Sequence, residues 1–397
     1  MERSELVELL STEGLRLLDS LPPYHSESDV LKMVADLRKA GHSPGLVAAV
    51  LTQAKLRSKA KAKFGPFADR MLFTEAGLEQ ATRLPVAARH AGRFQAAGVR
   101  RVADLGCGIG GDAMALAALE LDVLAVDADE VTAAIAAYNL APFPNAQVEN
   151  RTAEETDLRG IDGVFLDPAR RTAGHGQTKR LTDPDDYSPA LGFAFELGTG
   201  RSVGVKLGPG FDRDLIPSSA EAQWVSADGQ VVEMGLWFGG LARPRIRRAA
   251  LVIRGGESHE LTAPADSEDA ETGPLGDYLY EPDGAVIRAR LIGDLARSIG
   301  ARMLSPGIAY LTSDRLLPTP FASAFRVVET LPFPERELRK ALAERRIGTL
   351  EIKKRGVDVD PAVLRKRLAL SGPNAAGLVL TRVAGKHTAI LVERVTG

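Results

Sequence analysis

Apolar residues in the first 84 positions recur at helical spacing. In "SDVLKMVADLRKAG", Val30, Leu31, Val34 and Leu37 fall at i, i+1, i+4 and i+7, with Ser28 or Asp29 placed to cap the start and Gly41 to stop the helix. "SPGLVAAVLTQAKLRSKAKAKFG" follows the same logic: Ser43 caps, Pro44 takes the first helical position and Gly65 lies past the end. Lys55, Arg57, Lys59, Lys61 and Lys63 crowd its second half, either as a solvated helix face or as a nucleic-acid patch. From Val99 onward, short apolar strands alternate with helical stretches, the mark of a parallel sheet covered on both faces. The strands read as "VRRVADLG", "DVLAVDA", "AQVENRT", "GVFLDP", "RSVGVKL", "AQWVSADG" and "RRAALVIRG". Seven strands at this spacing fit a doubly wound domain that ends near Gly256.

The next stretch, "GGESHELTAPADSEDAETGPLGD", is acidic, poor in apolar residues and rich in turn formers, and reads as a linker or an exposed hairpin. A second α/β segment follows Tyr278. Its last part resolves into helix "PERELRKALAERR", strand "TLEIKKRG", helix "DPAVLRKRLAL" with Asp360 as cap and Pro361 at its first position, and strands "GLVLTRV" and "TAILVERV". The chain therefore divides into a helical region at 1–84, a strand–helix domain at 85–256, a linker at 257–277 and an α/β region at 278–397, the last containing a module at 331–397.

Composition narrows the picture. A chain of 397 residues with 45% hydrophobic content fits two or three domains, each able to bury its own core. Its longest apolar runs stop short of the ~20 residues that span a bilayer, and "MERSELVELL" lacks a basic stretch ahead of an apolar one. A soluble, cytoplasmic protein without a membrane partner is expected. One cysteine, Cys107, excludes disulfides, Cys-rich zinc sites and iron–sulfur clusters, and no metal is expected. The net charge of -2 is uninformative, but residues 331–397 carry 14 Lys/Arg against 7 Asp/Glu, a local +7 that leaves -9 for the rest. Such asymmetry points to an anionic partner for the C-terminal module. Lys353, Lys354 and Arg355 end one strand, and Arg365, Lys366 and Arg367 lie on the next helix, where Leu364 and Leu368 face the core. Six cations that close repel one another unless something anionic lies between them.

The chemistry concentrates in "VADLGCGIGGDA". Gly106, Gly108 and Gly111 spell the G-x-G-x-x-G of dinucleotide folds, while Asp104, Gly106 and Gly108 spell the D-x-G-x-G of methyl-donor enzymes. A dinucleotide would set an anionic pyrophosphate over the loop, where a strand-end carboxylate repels it. S-adenosylmethionine carries an ammonium and a sulfonium, so Asp104 favours it. Asp127, ending the second strand 21 residues past Gly106, suits the ribose hydroxyls of either ligand. The fourth strand, "GVFLDPARR", brings Asp167 and Pro168 to a carboxyl strand end beside the expected switch point. Methyl transfer is an in-line displacement that needs alignment and an acceptor for a proton or N–H, which Asp167 supplies; a cap on the following turn is the structural alternative. Cys107 reads as a small residue in a tight turn, not a nucleophile. His175 with Arg170, Arg171, Lys179 and Arg180 could meet a substrate phosphate, and Lys206, ending the fifth strand, could line the substrate crevice or pair with a carboxylate.

These segments, together with "GLEQATR" at 77–83, "AVDAD", "VKLGPG" and "LEIKKRGVDVDPAVLRKRLAL", resemble bacterial class I S-adenosylmethionine-dependent methyltransferases that carry a C-terminal THUMP-like domain, distantly similar to trimethylguanosine synthases. The resemblance implies an α/β fold: a Rossmann-like seven-stranded methyltransferase domain with an N-terminal helical region and a smaller C-terminal α/β, THUMP-like, domain. It also implies S-adenosylmethionine as cofactor and RNA as partner. Asp104, Gly106, Cys107, Gly108, Asp127, Ala128, Thr152 and Ala153 then form the cofactor site, and Asp167 and Pro168 the acceptor pair. Arg170, Arg171, Lys206, Lys353, Lys354, Arg355, Arg365 and Arg367 are the candidate substrate contacts. Two departures stand out. Amino-methylating relatives follow the acid–proline pair with a second proline and an aromatic, where this chain has Ala169 and Arg170, and "VENRTAEET" lacks the usual acid at the adenine turn, leaving Thr152 or Glu154. The expected function is methylation of a base in rRNA or tRNA; a catalytically silent RNA-binding or assembly factor and a small-molecule methyltransferase are the alternatives.

Overall fold

The computed structural model describes residues 2–22, 27–170 and 187–395, without the side chains of residues 27–32 and 169–170. The helix expected to start after a cap at Ser28 or Asp29 begins at Glu27, so both residues lie in its first turn and not ahead of it; their side chains and those of Val30 and Leu31 are not described. The chain forms two compact units. One comprises Met1–Leu207, Asp212–Ala220 and Leu236–Ala242; the other comprises Gly208–Phe211, Glu221–Gly235 and Arg243–Gly397.

The first unit begins with helices α1 (Arg3–Leu10), α2 (Thr12–Ser20), α3 (Glu27–Lys39) and α4 (Pro44–Phe64). Ser43 caps α4 by accepting from the Leu46 N–H, and Gly65 ends it at φ +56°, a conformation that favours glycine. Leu9, Val50, Leu56, Ala60 and Phe64 are buried along these helices. The five basic residues of α4 do not share one solvated face. Arg57 is buried, donating to the Met71 carbonyl and pairing with Asp19, and Lys63 turns inward, while Lys59 and Lys61 pair with Glu75 and Asp69.

Helices α5 (Glu75–Gln80) and α6 (Leu84–Ala96) lead into the sheet. It is built by β1 (Arg101–Leu105), α7 (Gly111–Ala118), β2 (Asp122–Asp127), α8 (Glu130–Leu140), β3 (Ala146–Asn150) and β4 (Gly163–Leu166), then a two-residue pair β5 (Ala169–Arg170) and β6 (Tyr187–Ser188), α9 (Leu191–Leu197) and β7 (Ser202–Leu207). The five long strands lie parallel in the order β7-β4-β1-β2-β3. The chain winds outward from β1 in both directions, so the switch point opens at the carboxyl ends of β1 and β4.

The second unit takes in β8 (Glu221–Ala227), β9 (Gln230–Phe238) as far as Gly235, β10 (Arg248–Arg254) and β11 (Glu257–Ala263). All seven strands expected in the strand–helix domain form; β9 and β11 were not anticipated. Asp228 and Gly229 take φ +50° and +81°, the pattern of a two-residue hairpin turn, so the "DG" ending one expected strand also starts the next. The interruption of the apolar pattern of β9 by Glu233, itself buried, hid it. β11 pairs antiparallel with β10 and occupies the start of the stretch read as a linker or exposed hairpin. The remaining elements are β12 (Tyr278–Pro282), α10 (Gly284–Arg288), α11 (Ile292–Ser298), β13 (Arg302–Met303), β14 (Leu311–Ser313), β15 (Ala322–Leu331), α12 (Glu335–Glu344), β16 (Ile347–Lys354), α13 (Pro361–Leu368), β17 (Asn374–Val383) and β18 (Lys386–Arg394). Their sheet runs β13-β14-β12-β15-β18-β17-β16, with Leu338, Leu342, Leu364 and Leu368 packed on it. Asp360 caps α13 by accepting from the N–H groups of Ala362 and Val363, as its sequence indicates. Among the described residues no helix is long and apolar enough to cross a membrane.

Candidate functional site

The parallel strands bring their carboxyl ends together, and with them the residues singled out in the sequence. Gly106 and Cys107 donate their N–H groups to the Val126 carbonyl at 2.8 and 2.9 Å, tying the turn after β1 to the end of β2. Gly106 holds φ +84°, and a side chain there would approach the Asp167 carbonyl within 3.6 Å and Pro189 within 3.8 Å. Gly108, at φ +56°, donates to Asp127 Oδ2 at 3.0 Å and leaves the space above it open. Cys107 is buried in this turn, its thiol pushed well up by burial and by the carboxylates of Asp104 and Asp127, which disfavours the thiolate.

Asp104 is the feature that discriminates between ligands. It is 1% exposed at the end of β1, and its Oδ2 has no hydrogen-bond partner. Burial, with Asp112, Asp167 and Asp127 adding repulsion and Lys206 opposing, pushes its pKa well above the ordinary carboxylate range. A buried carboxyl oxygen without a partner costs folding free energy unless a cationic or donor group meets it. The ammonium and sulfonium of S-adenosylmethionine fit that requirement; a pyrophosphate does not. Asp127 is half-buried at the end of β2, and burial raises its pKa against the N–H donors of Asp129 and Gly108. Asn150 closes the neighbouring turn, donating to the carbonyls of Asp127 and Ala128 at 3.0 and 3.1 Å. Beyond β3, Ala153 is buried, while Thr152 is exposed and donates to Glu155 at 2.9 Å; Glu154 is exposed.

Past β4, Asp167 is half-buried and Pro168 buried. Asp167 Oδ2 accepts a hydrogen bond from Lys206 Nζ, which also donates to the Gln80 carbonyl at 3.3 Å, so the partner of Lys206 is the candidate acceptor and not a structural carboxylate elsewhere. Arg170 lies on β5, whose register sets it opposite Tyr187 on β6, with Ala169 opposite Ser188. Arg171, His175, Lys179 and Arg180 lie outside the described residues.

Several residues around this site escaped the sequence reading. Asp112, on the first turn of α7, accepts from Thr82 Oγ1 at 2.6 Å and lies 2.8 Å from His90 Nδ1, all three buried. Burial pushes its carboxyl up, yet the His90 bond and charge, with Lys206 and Thr82, hold it below the ordinary range. Buried Asn139 donates to the carbonyls of Ile109 and Leu72, bracing the glycine turn. The "DA" after the glycines and the "GLEQATR" segment were the available signals, but nothing in spacing joined them.

In the second unit four of the six clustered cations are met by groups of the protein itself. Lys353 pairs with Glu281 at 2.7 Å and Glu351 at 3.4 Å, Arg355 with Glu281 at 4.0 Å, and Arg367 with Glu335. Arg365 donates to the Leu350 carbonyl at 3.1 Å, and Lys354 and Lys366 are exposed. The repulsion that called for an outside anion is thus partly relieved by acids, one of them more than 70 residues upstream.

A glycine turn at the switch point of a parallel sheet, beside a buried carboxyl group, fits a class I, Rossmann-like methyltransferase. The chain belongs to the S-adenosylmethionine-dependent methyltransferases: a member from Mycobacterium tuberculosis is 36% identical over 363 residues, covering 87% of this chain and 94% of the relative. The protein is accordingly an enzyme that uses S-adenosylmethionine. Residues 322–394 match the family described as THUMP domain-like, and residues 2–60 match a domain of unknown function. The fold as a whole is similar to that of a candidate methyltransferase from Porphyromonas gingivalis, with a TM-score of 0.75 at 21% identity over 100% of both chains.

Proposed function

We propose that the chain transfers the methyl group of S-adenosylmethionine to a base in RNA. The observation that carries the substrate reading is the THUMP domain-like match at 322–394, most of which overlaps residues 331–397 with their 14 Lys/Arg against 7 Asp/Glu. When bound, the cofactor supplies an electrophilic methyl on sulfur. In this reading Asp104 meets its ammonium, and the turn Gly106, Cys107 and Gly108 lets backbone approach it. Asp127 and Ala128 take the ribose, and Thr152 and Ala153 border the adenine. Asp167 accepts the proton or N–H of the attacking base, Pro168 shapes its floor, and Lys206 holds the carboxylate ionised and aimed.

Support for an amino-group acceptor comes from the β5–β6 pairing. It sets Tyr187 across from Arg170 and carries Pro189 to the cofactor turn, so an aromatic and a second proline join the strand that follows the acid–proline pair. Arg170 and Arg171 are proposed to meet the RNA backbone beside the target. Lys354 and Arg365, with Lys353, Arg355 and Arg367 in their ion pairs, are proposed to meet it on the second unit. Mass spectrometry of nucleosides from total RNA, with and without the gene, tests the reading: loss of one methylated nucleoside is expected, and identical profiles would overturn it.

A further inference from the structure

The carboxyl end of α5 holds two lysines at once. Lys63, on the last turn of α4, donates its ammonium hydrogens to the carbonyls of Leu78, Glu79 and Ala81 at 2.8, 2.6 and 2.7 Å. An ammonium has three N–H donors, and all three are used here. The carbonyl within that set which Lys63 does not take, Gln80, accepts from Lys206 at 3.3 Å, and Lys206 donates to Asp167. A helix leaves its last carbonyls without intrahelical partners, and glycine or water ordinarily satisfies them. Here a half-buried charge does so, within reach of a second charge of the same sign.

That arrangement is costly to keep protonated. Burial, then Lys206 of β7 and Arg83 at the start of α6, push the Lys63 ammonium down to about 8, while Glu79 of α5 and Asp167 past β4 pull it upward. Loss of its proton removes one of the three donors and frees a carbonyl beside Gln80. We propose that Lys63 is a positioning residue for methyl transfer: by fixing the α5 carbonyls it fixes the Gln80 oxygen that steers Lys206 onto Asp167. The inference rests on Asp167 being the acceptor of the proposed reaction. Lys63 touches neither substrate nor cofactor in this account and acts through Lys206.

The test uses the full chain in two measurements. In 1H–15N spectra of lysine ammonium groups, raising the wild-type pH through 8 should move the Lys206 signal together with that of Lys63, and Lys63→Met should shift Lys206 at neutral pH. In methyl transfer from labelled S-adenosylmethionine to RNA from cells lacking the gene, Lys63→Met should lower kcat about tenfold or more, with KM for the cofactor within twofold. The wild type should show an alkaline limb near pH 8 that the variant lacks. A Lys206 signal indifferent to the titration of Lys63, or a variant with the wild-type kcat and limb, would overturn the proposal. Should the wild type methylate no RNA, the substrate reading fails, and the spectra still decide the Lys63–Lys206 link without any substitution.

Discussion

Asp104→Asn should make the protein more stable and a poorer cofactor binder at once. Asparagine keeps the shape of the side chain and removes the charge that burial and three neighbouring carboxylates oppose. In the wild type the sign follows from the raised pKa. Below the unfolded value of about 4, Asp104 is protonated in both states and its ionisation costs nothing. As pH rises toward the folded value, the unfolded chain releases its proton while the native one retains it, so stability falls. At pH 7 the variant should therefore exceed the wild type by about 1.4 kcal/mol for each unit by which burial raises the Asp104 pKa, up to the working pH. Each kcal/mol moves Tm by about 2–4 °C in a unit of 150–250 residues. Cofactor reverses the order. A charge-assisted hydrogen bond to an ammonium contributes about 1.5–3 kcal/mol, so the variant should bind S-adenosylmethionine roughly 10- to 150-fold more weakly. Thermal melts at pH 7 and pH 4, with and without S-adenosylhomocysteine, check both arms. The variant should melt higher alone and lower with ligand at pH 7, and the stability gap should close at pH 4. Equal melting temperatures without ligand, or equal ligand-induced shifts, would refute the reasoning.

Asp127→Ala should weaken cofactor binding by about 1–3 kcal/mol through ribose hydroxyls left unpaired, read by calorimetry. Asp112→Asn should destabilise the fold by roughly 1–3 kcal/mol, because the amide can accept from only one of His90 and Thr82 and carries no charge. Since the Asp112 pKa lies below its unfolded value, its stabilisation is present above pH ~4 and lost on further acidification, so the variant should show a shallower acid limb in denaturant titrations. RNA affinity should fall with salt at a log–log slope near -0.7 per contact on single strands. Replacing exposed Lys354 by Ala should flatten that slope by about 0.7; Lys353→Ala, whose charge faces Glu281 and Glu351, should change it less.

The site was legible where one strand end and its loop carry the signal. Asp104 through Gly108, Asp127 and Asp167 each close a strand, and parallel pairing alone brings them together. The partners of those residues were not legible. His90 and Thr82 reach Asp112 across 22 and 30 positions, and Lys63 bonds to backbone carbonyls, which leave no mark in side-chain type. The basic cluster of the second unit was visible, while the acid that answers it, Glu281, sits on β12 far upstream. Among the elements, helix ends marked by Ser43, Gly65 and Asp360 could be read because capping is local chemistry. β9 could not, because burial of Glu233 is a tertiary event that breaks the apolar run.

The most direct measurement of the central claim is transfer of labelled methyl from S-adenosylmethionine by the purified chain to RNA from cells lacking the gene, with Asp167→Ala in parallel. The account predicts incorporation into that RNA and little into RNA from cells that have the gene. It further predicts turnover about a hundredfold or more lower in the variant, at unchanged cofactor affinity. No incorporation into RNA by the wild type, or wild-type turnover by Asp167→Ala, would contradict it.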